Sequence, residues 1–205
     1  LDPFAILGLS LGSAWLSGFN LYATVLTLGL LQRFHLAKLP GDLDFLSHGW
    51  VLAAAAVLYA VEFFADKIPL VDSIWDAVHT FIRVPAGAVL AASAFAHFDP
   101  SVRGLALLAG GGLALGSHGT KASVRMTANM SPEPFSNIFL SLIEDVFTIA
   151  LAALAAFHPA VVLAVIAVFV VLLFWLTPKI FRAIRRMFRE AAAFLRGQPV
   201  SRSHH

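Results

Sequence analysis

The sequence predicts an all-α integral membrane protein of about six transmembrane helices. Three observations predict it. Hydrophobic residues make up 59% of the 205-residue chain and charged residues only 13%. A soluble domain carries about 25% charged residues, so too few polar side chains exist here to cover a water-facing surface. The mean hydropathy is +0.83. Finally, Ala160 to Thr177 is an uncharged apolar run opened by Pro159 and stopped by Pro178, close to the ~20 residues that a bilayer core requires.

The other expected spans follow in order. Phe4 to Leu31 exceeds one ordinary span and is interrupted by Gly12, Ser13, Ser17, Gly18 and Asn20, so a broken or strongly tilted helix is expected. Trp50 to Ala65 is apolar except for Glu62. Val84 to Phe98 and Val102 to Ser117 read as a hairpin around Asp99-Pro100, and Ile138 to Phe157 is a span carrying Glu144 and Asp145. The chain has no cysteine, which excludes disulfides, thiolate metal sites and cysteine nucleophiles. Leu1-Asp2-Pro3-Phe4 has no basic n-region, so no signal peptide is expected, and the final histidines read as tag residues.

Residues 1–178 form the transmembrane domain on this reading, and 179–205 form a basic tail. Lys179, Arg182, Arg185, Arg186, Arg189, Arg196 and Arg202 are half of the 14 Lys and Arg residues. Ile180, Phe181, Ile184, Met187, Phe188 and Phe194 interleave with them, the pattern of an amphipathic helix on an anionic lipid surface. Membrane-surface anchoring is therefore assigned to Lys179, Arg182, Arg185, Arg186 and Arg189, with no nucleic-acid partner. With six spans both termini lie in the cytoplasm of a bacterial inner-membrane protein, and loops bearing Lys67 with Arg83, and Lys121 with Arg125, face inward.

Gly8-Leu9-Ser10-Leu11-Gly12-Ser13 and Gly112-Leu113-Ala114-Leu115-Gly116-Ser117 agree at five of six positions. Each leads into a polar, helix-weakening stretch, around Asn20 and around His118-Lys121. Two inverted three-helix repeats, 4–98 and 102–178, with broken first helices meeting near the midplane would explain this. Plain helix packing through small residues would explain it equally.

A charge inside a span costs about 2.5–3.5 kcal/mol on insertion scales, so each calls for a partner or a polar cavity. Glu62 and Asp66 are four residues apart and share a helix face, while a pairing of Glu62 with Lys67 is the simpler alternative. Glu144 and Asp145 are adjacent and cannot face one partner. Lys121 and Arg125, one turn apart, form with His118 a cationic face suited to an anionic group, to an ion pair with Glu144 or Asp145, or to topology alone. No metal, phosphate-loop or nucleophile-elbow pattern occurs, so no cofactor and no enzymatic activity are expected.

The stretches Glu62-Phe63-Phe64-Ala65-Asp66-Lys67-Ile68-Pro69-Leu70-Val71-Asp72, His118-Gly119-Thr120-Lys121-Ala122-Ser123-Val124-Arg125 and Ser141-Leu142-Ile143-Glu144-Asp145 resemble the bacterial membrane proteins called domain of unknown function 4126. The resemblance runs over roughly residues 5 to 175. It implies that Glu62, Asp66, Lys67, Asp72, Lys121, Arg125, Glu144 and Asp145 belong to a family pattern, and it implies no activity.

Three functions remain in view. The first is a small secondary transporter or channel for a small ion or anionic solute, with proton coupling as one option and Asn20, Glu62, Asp66, Lys67, His118, Lys121, Arg125, Glu144 and Asp145 as its binding residues. The second is binding or flipping of an anionic lipid head group through Lys121, Arg125 and Arg83. The third is a scaffold without transport. Membrane lipids are the expected partners, and homo-oligomerisation through small-residue faces is open.

Overall fold

A computed structural model describes residues 2–129 and 134–195. For Pro69, Asn129, Pro134, Ser136 and residues 180–195 other than Arg182 and Arg185, it describes the backbone alone. Six α-helices carry the described chain: α1 (Pro3–Arg33), α2 (Gly49–Ala65), α3 (Pro69–Ala94), α4 (Pro100–Asn129), α5 (Pro134–Phe157) and α6 (Pro159–Leu195). A short 3-10 turn, Leu43–Ser47, precedes α2. No strand occurs among the described residues. Five of the helices open on proline, whose fixed φ suits a first turn and whose missing N–H is not needed there. The Asp2 carboxylate caps α1 by accepting from the Ala5 N–H at 2.7 Å.

Residues 1–166 form one compact unit. Helix α1 is its axis and packs against α2, α3, α4 and α5, while α3 lies along α4. The approach is close because the facing residues are small. A Cβ on Gly18 would collide with the Ser117 hydroxyl and the Ala114 carbonyl of α4, the arrangement by which glycine lets membrane helices touch backbone to backbone. In the loop after α1, Gly41 has φ +59° and packs on the Ser93 carbonyl, where no other residue fits without strain.

Helices α1, α3, α5 and the first part of α6 are long and apolar enough to cross a membrane. Helix α2 has 17 residues, about 26 Å of rise, slightly short of a bilayer core. Helix α4 has 30 residues, about 45 Å, but its glycines and buried polar side chains keep its mean hydropathy low. The count of six spans thus rests on four clear helices and two that differ in length or polarity.

Three expectations of helix limits are corrected. Pro85 does not open a span: α3 runs through it from Pro69. Pro178 does not stop α6, which continues to Leu195. Internal prolines persist in membrane helices where neighbouring groups satisfy the freed carbonyl. The expected break at Ser117–Lys121 is absent, since α4 is helical throughout. Thr120, Ser123 and Thr127 each return the hydroxyl to the carbonyl four residues back, at 2.7–2.9 Å. Among the described residues the break lies in α1, at Asn20 (φ −144°, ψ 100°). The two similar stretches also sit differently, Gly8 pressed against Pro159 and Gly112 facing open space.

The second unit, residues 167–205, is described to Leu195. Its apolar part exposes Val168, Val171, Phe174 and Trp175. Lys179 then lies 3.1 Å from the centroid of the Trp175 ring, and the Arg182 guanidinium donates to the Pro178 carbonyl at 3.1 Å. Lys179, Arg182 and Arg185 are exposed. The side chains of Arg186 and Arg189, and all of Arg196 and Arg202, lie outside the described residues.

Gly18→Ala is expected to lower stability by about 1–3 kcal/mol, the usual cost of overpacking, read as a lower Tm in detergent. An unchanged Tm would contradict the close α1–α4 approach.

Candidate functional site

The polar residues of five helices meet in one place. Helix α3 supplies Asp72, Asp76, His79 and Arg83, spaced four, three and four apart and therefore on one face. Arg83 lies 14 residues into α3, about 21 Å along its axis, and is fully buried (0% exposed) together with Glu62 of α2 (0%). An isolated cation there would cost several kcal/mol in lost hydration. The Arg83 guanidinium is met instead by the Glu62 carboxylate at 2.7 Å and Asp76 at 3.1 Å.

Lys121 and Arg125 of α4 extend the network. The Lys121 ammonium lies 2.6 Å from Glu144 of α5, 3.4 Å from Glu62, 3.6 Å from Asp66 and 3.9 Å from Asp76. Arg125 holds Asp66 and Glu144, both at 3.0 Å, with Asp72 at 3.8 Å. Among the described residues five carboxyl groups thus share three cations.

The broken helix α1 is joined to it. At Asn20 the regular ladder fails, because the Ala23 N–H turns to the Asn20 side-chain oxygen at 2.9 Å. That bond makes Asn20 the N-cap of the second half of α1. The Phe19 carbonyl is then free of its usual donor and accepts from Lys121 at 3.0 Å. The remaining Asn20 group, its amide nitrogen, donates to Asp145 of α5 at 3.0 Å. One residue therefore caps a half-helix, frees a carbonyl for a buried lysine and anchors a carboxylate.

The two buried histidines are each held by hydrogen bonds at both ring nitrogens. The Thr80 hydroxyl donates to the Asp76 carbonyl at 3.1 Å, so it accepts from His118 Nε2–H at 2.7 Å. His118 Nδ1 is left to accept from Arg83 at 3.1 Å. His79 likewise donates from Nδ1 to the Trp75 carbonyl and accepts at Nε2 from the Tyr22 hydroxyl. Among the described residues no group of three His, Asp or Glu side chains is placed to hold a metal ion.

Two clefts flank α4, each of about 180 Å³. One, between α4 and α5, has walls of Phe19, Val124, Leu140, Ile143 and Phe147 and ends on Lys121, Arg125 and Glu144. The other, between α3 and α4, reaches Asp72, Asp76, Thr80, His118 and Arg125.

Of the residues singled out in the sequence, Asn20, Glu62, Asp66, His118, Lys121, Arg125, Glu144 and Asp145 come together. Lys67 does not join the network: its ammonium donates to the Phe63 carbonyl at 2.7 Å and sits 3.1 Å from the Phe63 ring centroid. The simpler pairing of Glu62 with Lys67 is replaced by Arg83 and Lys121. Arg83, Lys121 and Arg125 are also not loop residues. They are buried in helices, so they lend no support to the inside–outside assignment. Asp76, His79 and Thr80 belong to the site and were not among its expected residues, while Asp72 was expected only as part of the family pattern and Arg83 only for a lipid head group. The four-three-four spacing of Asp72, Asp76, His79 and Arg83 was the available signal, hidden by the assumption that Pro85 begins a helix.

The family described as "Domain of unknown function (DUF4126)" matches residues 7–179. No curated protein and no solved structure matches the chain.

Removing one partner of a buried ion pair costs about 3–5 kcal/mol. Arg83→Gln is therefore expected to lower the Tm strongly in detergent, while the exposed Arg103→Gln stays within about 0.5 kcal/mol of the parent. Equal, small effects would contradict the burial of Arg83.

Proposed function

Starting from a chain that belongs to the DUF4126 family, whose description assigns no activity, we propose a small secondary transporter or channel that handles protons at the α2–α5 network. The observation that carries this reading is the excess of carboxylates, five around three cations. In a low-dielectric interior an uncompensated carboxylate is strongly disfavoured, so the excess draws protons. Lys121 is the pivot. Protonation of Glu144 would remove the shortest of its ion pairs, at 2.6 Å, leaving it on Glu62 and the Phe19 carbonyl at the break in α1. A proton arriving at Glu144 would thereby loosen α4 from α5 and shift load onto α1, a step suited to alternating access. An anionic solute fits less well, because each cation of α4 already meets three or more carboxylates.

A second reading has one observation in its favour. The cleft between α4 and α5 joins apolar walls to Lys121 and Arg125, which suits an amphiphile with an anionic head group. Lipid bound there would persist through purification and be lost in Leu140→Trp. On either reading we place the chain in a bacterial inner membrane with six spans, its termini cytoplasmic and its basic tail on anionic lipid. The two similar stretches of α1 and α4 support a repeat only in sequence.

The test is proton movement into liposomes containing the full chain, driven by a potassium diffusion potential and read with an internal pH dye. Glu144→Gln and Lys121→Ala are expected to reduce the rate at least tenfold. Undiminished flux in both would sink the transport reading.

A further inference from the structure

Helix α5 carries a second polar feature that the ion pairs do not use. Asn137, Ser141, Asp145 and Thr148 are spaced four, four and three apart, which aligns them on one face. All four are buried. The Ser141 and Thr148 hydroxyls have no hydrogen-bond partner among the described residues, and Asp145 between them takes a hydrogen bond from the Tyr59 hydroxyl of α2 besides that from Asn20. Burying a hydroxyl without a partner is costly, and here two such hydroxyls lie on either side of Asp145.

The hydroxyls are exceptions within this chain. Thr24, Thr80, Thr120, Ser123, Thr127 and Thr177 all satisfy themselves on the carbonyl four residues back. Ser141 and Thr148 have the same carbonyls available and do not use them, so their oxygens flank Asp145 from one turn to either side. Asp145 is also the odd carboxylate. Its Oδ1 is held at 3.0 Å by a neutral amide, that of Asn20, where the network carboxylates face cations. The charged and titratable groups that face it are Glu144 on its own helix, Asp66 and Lys67 in the α2–α3 turn, Lys121 on α4 and Tyr59 on α2. The two carboxylates offset the two lysines. Both lysines are engaged elsewhere, Lys67 on Phe63 and Lys121 on Glu144.

We propose that Asp145 is the proton-loading residue of a track along α5, with Ser141 and Thr148 as its hydrogen-bonding stations and Asn20 as the amide that holds it in place. The proton rests on the carboxyl that Asn20 and Tyr59 hold, and passes to or from the track as Asp145 alternates between carboxylic acid and carboxylate. Glu144, adjacent in the chain and facing the other way onto Lys121 and Arg125, is the next acceptor. This inference rests on the proton-handling reading and gives it an entry point distinct from the ion-paired network.

The test is infrared spectroscopy of the full chain in lipid, with carbon-13 aspartate to mark aspartate bands. A protonated-carboxyl stretch is expected while the exposed Asp2, Asp42 and Asp99 are still ionised, to be absent in Asp145→Asn and shifted in Ser141→Ala and Thr148→Ala. The last two variants keep Asp145 and read the site even if Asp145→Asn fails to fold. A spectrum without any aspartate band that responds to Ser141→Ala or Thr148→Ala overturns the proposal. So does a band abolished by sodium at constant pH, which would make this a sodium site. A band without proton flux would retain the inference and sink transport. Flux lost in Glu144→Gln without the band would do the reverse.

Discussion

Three buried cations, Arg83, Lys121 and Arg125, set the constraint on which the rest of this structure depends. All three are buried, and no cation can stay in such a place without negative charge around it. No single helix can supply that charge. Glu62 comes from α2, Asp66 from the turn after it, Asp72 and Asp76 from α3 and Glu144 from α5. Neutralising three side chains on two helices therefore draws four helices together at one depth. The small residues of α1, α3 and α4 allow the approach, and the network gives it direction.

The break in α1 follows from the same constraint. Lys121 carries three donor hydrogens, and in a regular α1 the Phe19 carbonyl would be shared with the Ala23 N–H. Turning Asn20 out of helical geometry releases the Phe19 carbonyl at 3.0 Å from the ammonium. The lost ladder bond is replaced by the Asn20 side chain on Ala23. The backbone groups freed at Asn20 thus meet a buried charge and a side chain, as expected where lipid offers no alternative partner.

Much of this was legible in the sequence, and the reasons are specific. Charges within apolar runs are costly enough that Glu62, Glu144 and Asp145 stand out as residues that call for a partner, with Lys121 and Arg125 among the cations in view. The adjacency of Glu144 and Asp145 required two different partners, and they have Arg125 with Lys121 and Asn20 respectively. Other parts were hidden by local rules that tertiary context overrides. Proline as a helix breaker concealed the face shared by Asp72, Asp76 and Arg83, because α3 passes through Pro85. Gly119 and its polar neighbours suggested a second break, yet the hydroxyls of Thr120 and Ser123 bond within α4 and the helix continues. Lys67, close to Glu62 in sequence, is drawn to the face of Phe63 instead. No pattern of spacing reveals such a choice.

The claim that matters most is that this network acts, and is not only a clasp. Neutralising both members of the shortest pair together separates the two. In Lys121→Gln with Glu144→Gln the buried charges vanish as a pair, so the double variant is expected to recover most of the Tm that either single variant loses, while proton flux into liposomes stays abolished. A double variant that is stable and still conducts protons at the parent rate would contradict the account and leave the ion pairs as scaffolding.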